Sequence, residues 1–152
     1  SPFDSYLMTL GLETLSLRVR HEVESARRLA EYCRNHPKVE RVSFVGFESH
    51  PSYANAKKYF RFGSSAVFTI ELKGTLDSTV RFVESLNLAA HMVMIGDSVT
   101  VVTHPASTTH KQLGDADLAA AGVTPTMLRI SVGLENTDDL IDDFEQAFAH
   151  IG

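Results

Sequence analysis

At 152 residues, with 43% hydrophobic and 22% charged residues, the chain has the size and composition of one globular domain with a real core, which excludes a disordered or low-complexity segment. A net charge of −5, with basic residues clustering no further than Arg27-Arg28 and Lys57-Lys58, argues against a nucleic-acid partner, and no apolar run approaches the ~20 residues that span a bilayer. The single cysteine, Cys33, cannot form an internal disulfide, which points to a reducing, cytoplasmic compartment.

Ser1-Pro2 reads as the N-cap and first residue of a helix entered from an upstream connection, so further sequence is expected before Ser1. Residues 3 to about 35 are predicted helical, with Gly11 as a possible break. Leu15, Val19, Val23, Ala26, Ala30 and Cys33 form an apolar stripe opposite Arg18, Glu22, Glu24 and Arg28, and Asn35-His36-Pro37 stops the helix. Val39 to Val45 alternates as a strand, Gly46 to Pro51 is a turn, and Tyr53 to Phe60 suits a short helix. In residues 66 to 73, Val67, Thr69 and Glu71 alternate with Phe68, Ile70 and Leu72, a strand with one buried face that Gly74 ends. Thr75 to Ser85 is helical. Leu88 to Ile95 and Val99 to Thr103 read as two strands about a turn at Gly96-Asp97. Asp115 to Ala121 is a short helix closed by Gly122, Met127 to Val132 is the last strand, and Thr137 to Ile151 is a closing helix capped by Asn136 or Thr137.

This order predicts an α+β two-layer sandwich: a mainly antiparallel sheet of four to five strands with helices on one face, preceded by a long helix. The expected division is a helical region at 1–36 and an α+β domain at 37–152.

Two stretches carry chemical interest. His104-Pro105-Ala106-Ser107-Thr108-Thr109-His110 is a hydroxyl-rich turn, and Leu128-Arg129-Ile130-Ser131-Val132-Gly133 sets one arginine in an apolar strand. A guanidinium presents a planar fork of N–H donors that matches a carboxylate two bonds at a time. Against this, Arg129 lies on the strand face opposite Leu128, Ile130 and Val132, which can simply be wet, and Ser and Thr in turns bond nearby backbone without any ligand. Cys33 with His36 one turn on can be written as a nucleophile pair, but a cysteine on an apolar stripe packs as a small hydrophobe. His104 and His110, with Asp97 or Asp115, match no usual zinc spacing, and no metal is expected. No Gly-x-Gly-x-x-Gly, Gly-x-Ser-x-Gly or Walker loop occurs.

The order of motifs resembles the C-terminal portion of the Cys/Met-metabolism family of pyridoxal-phosphate enzymes. The resemblance runs through Gly11-Leu12-Glu13-Thr14-Leu15-Ser16-Leu17-Arg18, His36-Pro37-Lys38-Val39, Gly46-Phe47-Glu48-Ser49-His50-Pro51, Glu71-Leu72-Lys73-Gly74, Gly96-Asp97, His104 to His110 and Leu128 to Glu135. Ser107-Thr108-Thr109-His110-Lys111-Gln112-Leu113 and Leu118-Ala119-Ala120-Ala121-Gly122-Val123-Thr124-Pro125 are most similar to the O-acetylhomoserine sulfhydrylase branch. The resemblance implies that Arg129 binds the substrate carboxylate and that Thr109 supports it. Met94 stands where the family carries serine or asparagine beside that carboxylate, and its thioether is only a weak acceptor.

The same resemblance implies that the lysine holding pyridoxal phosphate, in a Ser-x-x-Lys setting, lies in a large domain upstream. None of Lys38, Lys57, Lys58, Lys73 or Lys111 has that setting, so this chain is expected to supply no catalytic or cofactor-binding residue and to be inactive alone. The implied parent is a cytoplasmic homotetramer of methionine biosynthesis and transsulfuration, acting on O-acetylhomoserine with sulfide or methanethiol. The alternatives are cystathionine gamma-synthase, methionine gamma-lyase, or a non-catalytic amino-acid-binding or oligomerisation module.

Overall fold

The computed structural model describes residues 1–151, and the Asp115 side chain lies outside that description. Two helices lead: α1 (Pro2–Glu13), with a capping box made by Ser1 and Asp4, and α2 (Leu15–Asn35). They meet at Thr14 rather than at the expected Gly11, which sits inside α1 with open space about it. The reason is Arg18, whose guanidinium reaches back to the Gly11 carbonyl (3.1 Å) and the Thr14 hydroxyl, satisfying helix-end acceptors at the joint.

The remaining elements are β1 (Val39–Ser43), α3 (Tyr53–Tyr59), β2 (Val67–Leu72), α4 (Leu76–Glu84), β3 (Ala90–His91), β4 (Val101–Thr103), a 3-10 turn (Pro105–Ser107), α5 (Asp115–Ala120), β5 (Met127–Ser131) and α6 (Thr137–Ala149). The five strands form one sheet in the order β1-β2-β5-β4-β3, antiparallel at every junction except β3–β4. Here the expected turn between two neighbouring strands is corrected. β3 and β4 run parallel, and residues 92–99 between them are irregular. The Met92 N–H still donates to the Val102 carbonyl (3.3 Å), but the Met92 and Met94 carbonyls and the Gly96 N–H bond to side chains of the sheet, as described below.

One face of the sheet is dry. Phe68, Ile70 and Leu72 of β2 alternate inward against Leu128 and Ile130 of β5, and together they meet Ala26, Leu29, Ala30 and Cys33 of α2 and Phe144, Ala147 and Phe148 of α6. Phe82 of α4 closes an aromatic cluster with Phe144 and Phe148, at centroid separations of 5.6 and 4.7 Å. Helices thus cover a single face, the α+β two-layer arrangement expected from the element order, with a mixed rather than purely antiparallel sheet.

The apolar stripe of α2 reaches the core only in its second half. Leu15 and Val19 are exposed, whereas Glu22, read as solvent-facing, is buried, and burial pushes its carboxyl above the usual value. All of α1 is exposed, including Phe3, Tyr6, Met8 and Leu12. Among the described residues no helix is long and apolar enough to cross a membrane.

Gly133 follows β5 where its backbone lies against residues 98–100. A Cβ there would meet the Ser98 carbonyl oxygen and Val99 carbonyl carbon at 2.5 Å, so only glycine lets the exit of β5 lie against residues 98–100. The Thr100 hydroxyl accepts from the Gly133 N–H (2.9 Å) and donates to Glu135 Oε2 (2.7 Å), and Glu135 Oε1 accepts from the Thr100 N–H (2.6 Å). This lock sets the far end of the irregular segment 92–99 against the sheet.

Candidate functional site

The sheet face away from the helices carries Arg129 at the centre of β5. Antiparallel register places Thr69 of β2 on one side of it and Thr103 of β4 on the other. The parity that sends Leu128 and Ile130 into the core sends Arg129 outward, where it is partly buried.

Segment 92–96 is tied across this face at alternate residues. The Thr103 hydroxyl donates to the Met92 carbonyl (2.6 Å), Arg129 Nη2 donates to the Met94 carbonyl (3.3 Å), and the Gly96 N–H donates to Ser131 Oγ (3.2 Å). Three outward side chains of β4 and β5 therefore replace a strand partner, which is why a stretch with strand-like composition forms no ladder. Gly96 turns the segment at φ +77°.

Arg129 Nη2 also donates to Thr103 Oγ1 (3.2 Å). Its other contacts are sparse. Nε is buried without a hydrogen-bond partner, and among the described residues no carboxylate forms an ion pair with this guanidinium. A partly buried cation with two neutral acceptors and one orphaned donor is under-satisfied, and an incoming carboxylate relieves that.

Of the three residues singled out for substrate binding, the fold brings two together. Met94 lies beside Arg129, but through its main-chain carbonyl. The residue is about half exposed and lines an open cleft of about 480 Å³ with Arg18, Ile95, Asp97 and Ser98. Thr109 is exposed and its hydroxyl bonds His110 Nδ1 (2.8 Å) rather than Arg129. Thr103 and Ser131 were not singled out. Their parity on strands flanking or sharing Arg129's face was the available signal.

The hydroxyl-rich turn is largely self-satisfied. Thr108 Oγ1 donates to the His104 carbonyl (2.7 Å), and Ser107 Oγ lies 2.8 Å from His104 Nδ1. His104 Nε2 faces the Pro125 carbonyl at 2.9 Å, which can only accept, so Nε2 carries the proton and Nδ1 accepts from Ser107. With both ring nitrogens engaged, His104 is a tie between this turn and the approach to β5, not a metal ligand. Among the described residues no group of three or more His, Cys, Asp or Glu is arranged to hold a metal.

Burial lowers the pKa of His104 below the ordinary 6.5, outweighing the bond to Pro125. The unfolded chain therefore takes up a proton near pH 6.5 while the folded chain resists it. Stability from this residue is complete above that pH and falls as pH drops toward the lowered folded value. His36, also depressed by burial, acts in the same sense. The urea midpoint of the intact protein is expected to fall between pH 7.5 and 5.5, with a shallower slope in His104→Gln; an unchanged slope in that variant would contradict the assignment.

Cys33 is fully buried in the core, and burial raises its thiol pKa. The His36 ring stacks on Phe148 at 3.9 Å and makes no bond to that thiol, so the pair is packing rather than a nucleophile and base. The lysines are committed elsewhere: Lys38 Nζ donates to the Phe148 carbonyl (2.7 Å) and to that of Ile151, Lys73 Nζ to that of Pro37 (2.8 Å), and Lys57 and Lys58 lie over the Tyr53 and Tyr59 rings. Neither these residues nor exposed Lys111 offers a buried amine beside Arg129, so the residues present do not fit the anchoring of a pyridoxal phosphate.

A family model described as Cys/Met metabolism PLP-dependent enzyme matches residues 1–149. Homocysteine synthase of Schizosaccharomyces pombe is 46% identical over 147 residues, covering 97% of this chain and 34% of that protein. O-acetyl-L-homoserine sulfhydrylase 1 of Thermus thermophilus is 43% identical over 148 residues, covering 97% of this chain and 35% of that protein. A Campylobacter jejuni crystal structure assigned as an O-acetylhomoserine (thiol)-lyase, carrying an N'-pyridoxyl-lysine-5'-monophosphate, superposes with a TM-score of 0.91 at 35% identity, over 98% of this chain and 35% of that one. The chain spans about a third of the length of these relatives.

Proposed function

The chain belongs to the Cys/Met metabolism PLP-dependent enzyme family, and from that premise we propose that it is the part of an O-acetylhomoserine sulfhydrylase-like enzyme that holds the carboxylate of the amino-acid substrate. The observation that carries this reading is Arg129: a partly buried guanidinium with a buried, unpartnered Nε and, among the described residues, no carboxylate paired to it. The substrate's own carboxylate supplies what the fold leaves out. Met94 meets the guanidinium through its carbonyl, and Thr109, whose hydroxyl bonds His110 in this structure, is assigned a supporting role in this reading by resemblance alone.

In this reading residues 1–36 lead from a large domain into the α+β unit at 37–152, and the exposed apolar residues of α1 and early α2 face that domain. The large domain carries pyridoxal phosphate and its lysine, so the isolated 152-residue chain is inactive. The parent is a transferase of methionine biosynthesis, a homotetramer in the cytoplasm, where the buried single thiol of Cys33 fits a reducing medium. This chain's contribution is positional. Fixing the carboxylate at Arg129 orients the remaining carbons of the substrate, and such orientation is worth several kcal/mol of barrier.

The test is product identity. The intact protein with pyridoxal phosphate, given O-acetyl-L-homoserine and sulfide, is expected to yield homocysteine and acetate, with rates at least tenfold above its cleavage of L-methionine. Preferential release of methanethiol from methionine would make it a lyase, and no turnover of either substrate would return the non-catalytic module.

A further inference from the structure

We propose that Thr103 is the positioning residue for Arg129, and that substrate binding exchanges the Met94 carbonyl for a carboxylate oxygen while Thr103 keeps its hold. This inference rests on the carboxylate-anchor reading and deepens it.

Thr103 is almost wholly buried and lies directly opposite Arg129 across the β4–β5 pair. Its hydroxyl proton is committed to the Met92 carbonyl at 2.6 Å. The oxygen is thereby left with only lone pairs to offer, and it presents one to Arg129 Nη2 at 3.2 Å. A hydroxyl free to rotate would not favour one position of the guanidinium. One whose proton is fixed does.

The two acceptors on Nη2 are unequal. Thr103 is buried and held on both sides, whereas the Met94 carbonyl belongs to an exposed, irregular segment and sits at 3.3 Å. Nη2 has two protons, and both are taken in this structure. A carboxylate that engages Nε–H and Nη2 together must therefore displace one of the two acceptors, and the Met94 carbonyl is the one with access to water as an alternative partner. The orphaned Nε supplies the second bond. The Met92–Gly96 segment thus acts as a strap whose middle contact yields to the ligand while its ends, at Thr103 and Ser131, stay tied.

The test uses the intact protein and the unreactive amino acid L-norvaline, with L-norvalinamide as the analogue lacking the carboxylate. The Arg129 Nε–H resonance, assigned by its loss in Arg129→Lys, is expected to shift downfield with L-norvaline and not with the amide. Thr103→Val keeps the shape and removes the acceptor. It is expected to weaken L-norvaline binding and raise KM for the amino-acid substrate about tenfold with kcat nearly unchanged, and to leave amide binding where it was. Thr103→Ser, which retains the hydroxyl, should restore affinity to within about twofold. Should Thr103→Val not fold, Thr103→Cys, with a poor acceptor of similar size, must show the same loss. Equal affinity in wild type and both hydroxyl-free variants overturns the role of Thr103. If Arg129→Lys itself leaves L-norvaline binding unchanged, the carboxylate reading fails first, and the two failures are told apart.

Discussion

Arg129→Ala in the intact protein is expected to raise KM for the amino-acid substrate about a hundredfold, while the absorbance of bound pyridoxal phosphate and the thermal midpoint stay near their wild-type values. The magnitude follows from the bonds lost. Two charge-assisted hydrogen bonds to a carboxylate, in a site partly shielded from water, are together worth about 3 kcal/mol, and each 1.4 kcal/mol is a factor of ten. The fold should tolerate the change because the acceptors left behind have other partners: the Met94 carbonyl is exposed to water, and the Thr103 hydroxyl still bonds Met92. Arg129→Lys separates charge from shape. An ammonium retains the attraction but lacks the planar fork, so it should recover about half of the lost free energy, leaving KM about tenfold above wild type. An unchanged KM in Arg129→Ala would remove the carboxylate from this face of the sheet, whatever the enzyme's substrate proves to be.

How much of this was legible in the sequence differs by element, for physical reasons. β2 was read correctly, because strict alternation of Phe68, Ile70 and Leu72 against polar neighbours admits one explanation when one face is dry. The second half of α2 and the whole of α6 were legible in the same way, by helical spacing. The expected strands Leu88–Ile95 and Val99–Thr103 shrink to Ala90–His91 and Val101–Thr103, because Met92, Val93, Ile95 and Val99 have strand composition without strand pairing. Composition carries no record of whether a main-chain carbonyl bonds a neighbouring strand or a threonine side chain. Arg129 stood out as a lone cation in an apolar strand, but wet face and anion clamp are the same local pattern. The missing partner at Nε, a property of the packed sheet, is what favours the proposed clamp. Thr103 was invisible for a related reason. Its value comes from standing opposite Arg129, and that pairing depends on a register between strands 26 residues apart. For Met94 the side chain drew the attention, whereas the bond is made by its carbonyl, an atom every residue possesses.

The largest effect on stability is expected at Asp143, one carboxylate within an acidic run along α6 that otherwise faces water. Asp143 shares the inward stripe with Leu140, Phe144 and Ala147 and is itself buried. Its two oxygens accept the N–H groups of Asn87 (2.8 Å), Leu88 (3.1 Å) and Ala89 (3.0 Å), three successive donors in the turn between α4 and β3. Gln146 braces it, donating to Asp143 Oδ1 (3.2 Å) and to the Ser85 carbonyl (2.6 Å). The Ala89 donor is buried and has no alternative partner, whereas Asn87 and Leu88 are exposed and can turn to water, so Asp143→Ala is expected to cost about 2–3 kcal/mol. Asp143→Asn should be nearly as harmful, because its amide N–H₂ turns a donor toward donors. The loss should begin locally. Hydrogen exchange at the Leu88 and Ala89 amides is expected to accelerate by more than a hundredfold, ahead of exchange in β2 and β5, since those strands keep their own ladders. β3 and the strap that crosses Arg129 both start from this turn, so a loosened anchor should also raise KM for the amino-acid substrate a few-fold, well short of the effect of Arg129→Ala. Full protection of these amides in Asp143→Ala, with stability within 1 kcal/mol of wild type, would mean that the turn is held by the sheet alone and that the carboxylate is dispensable.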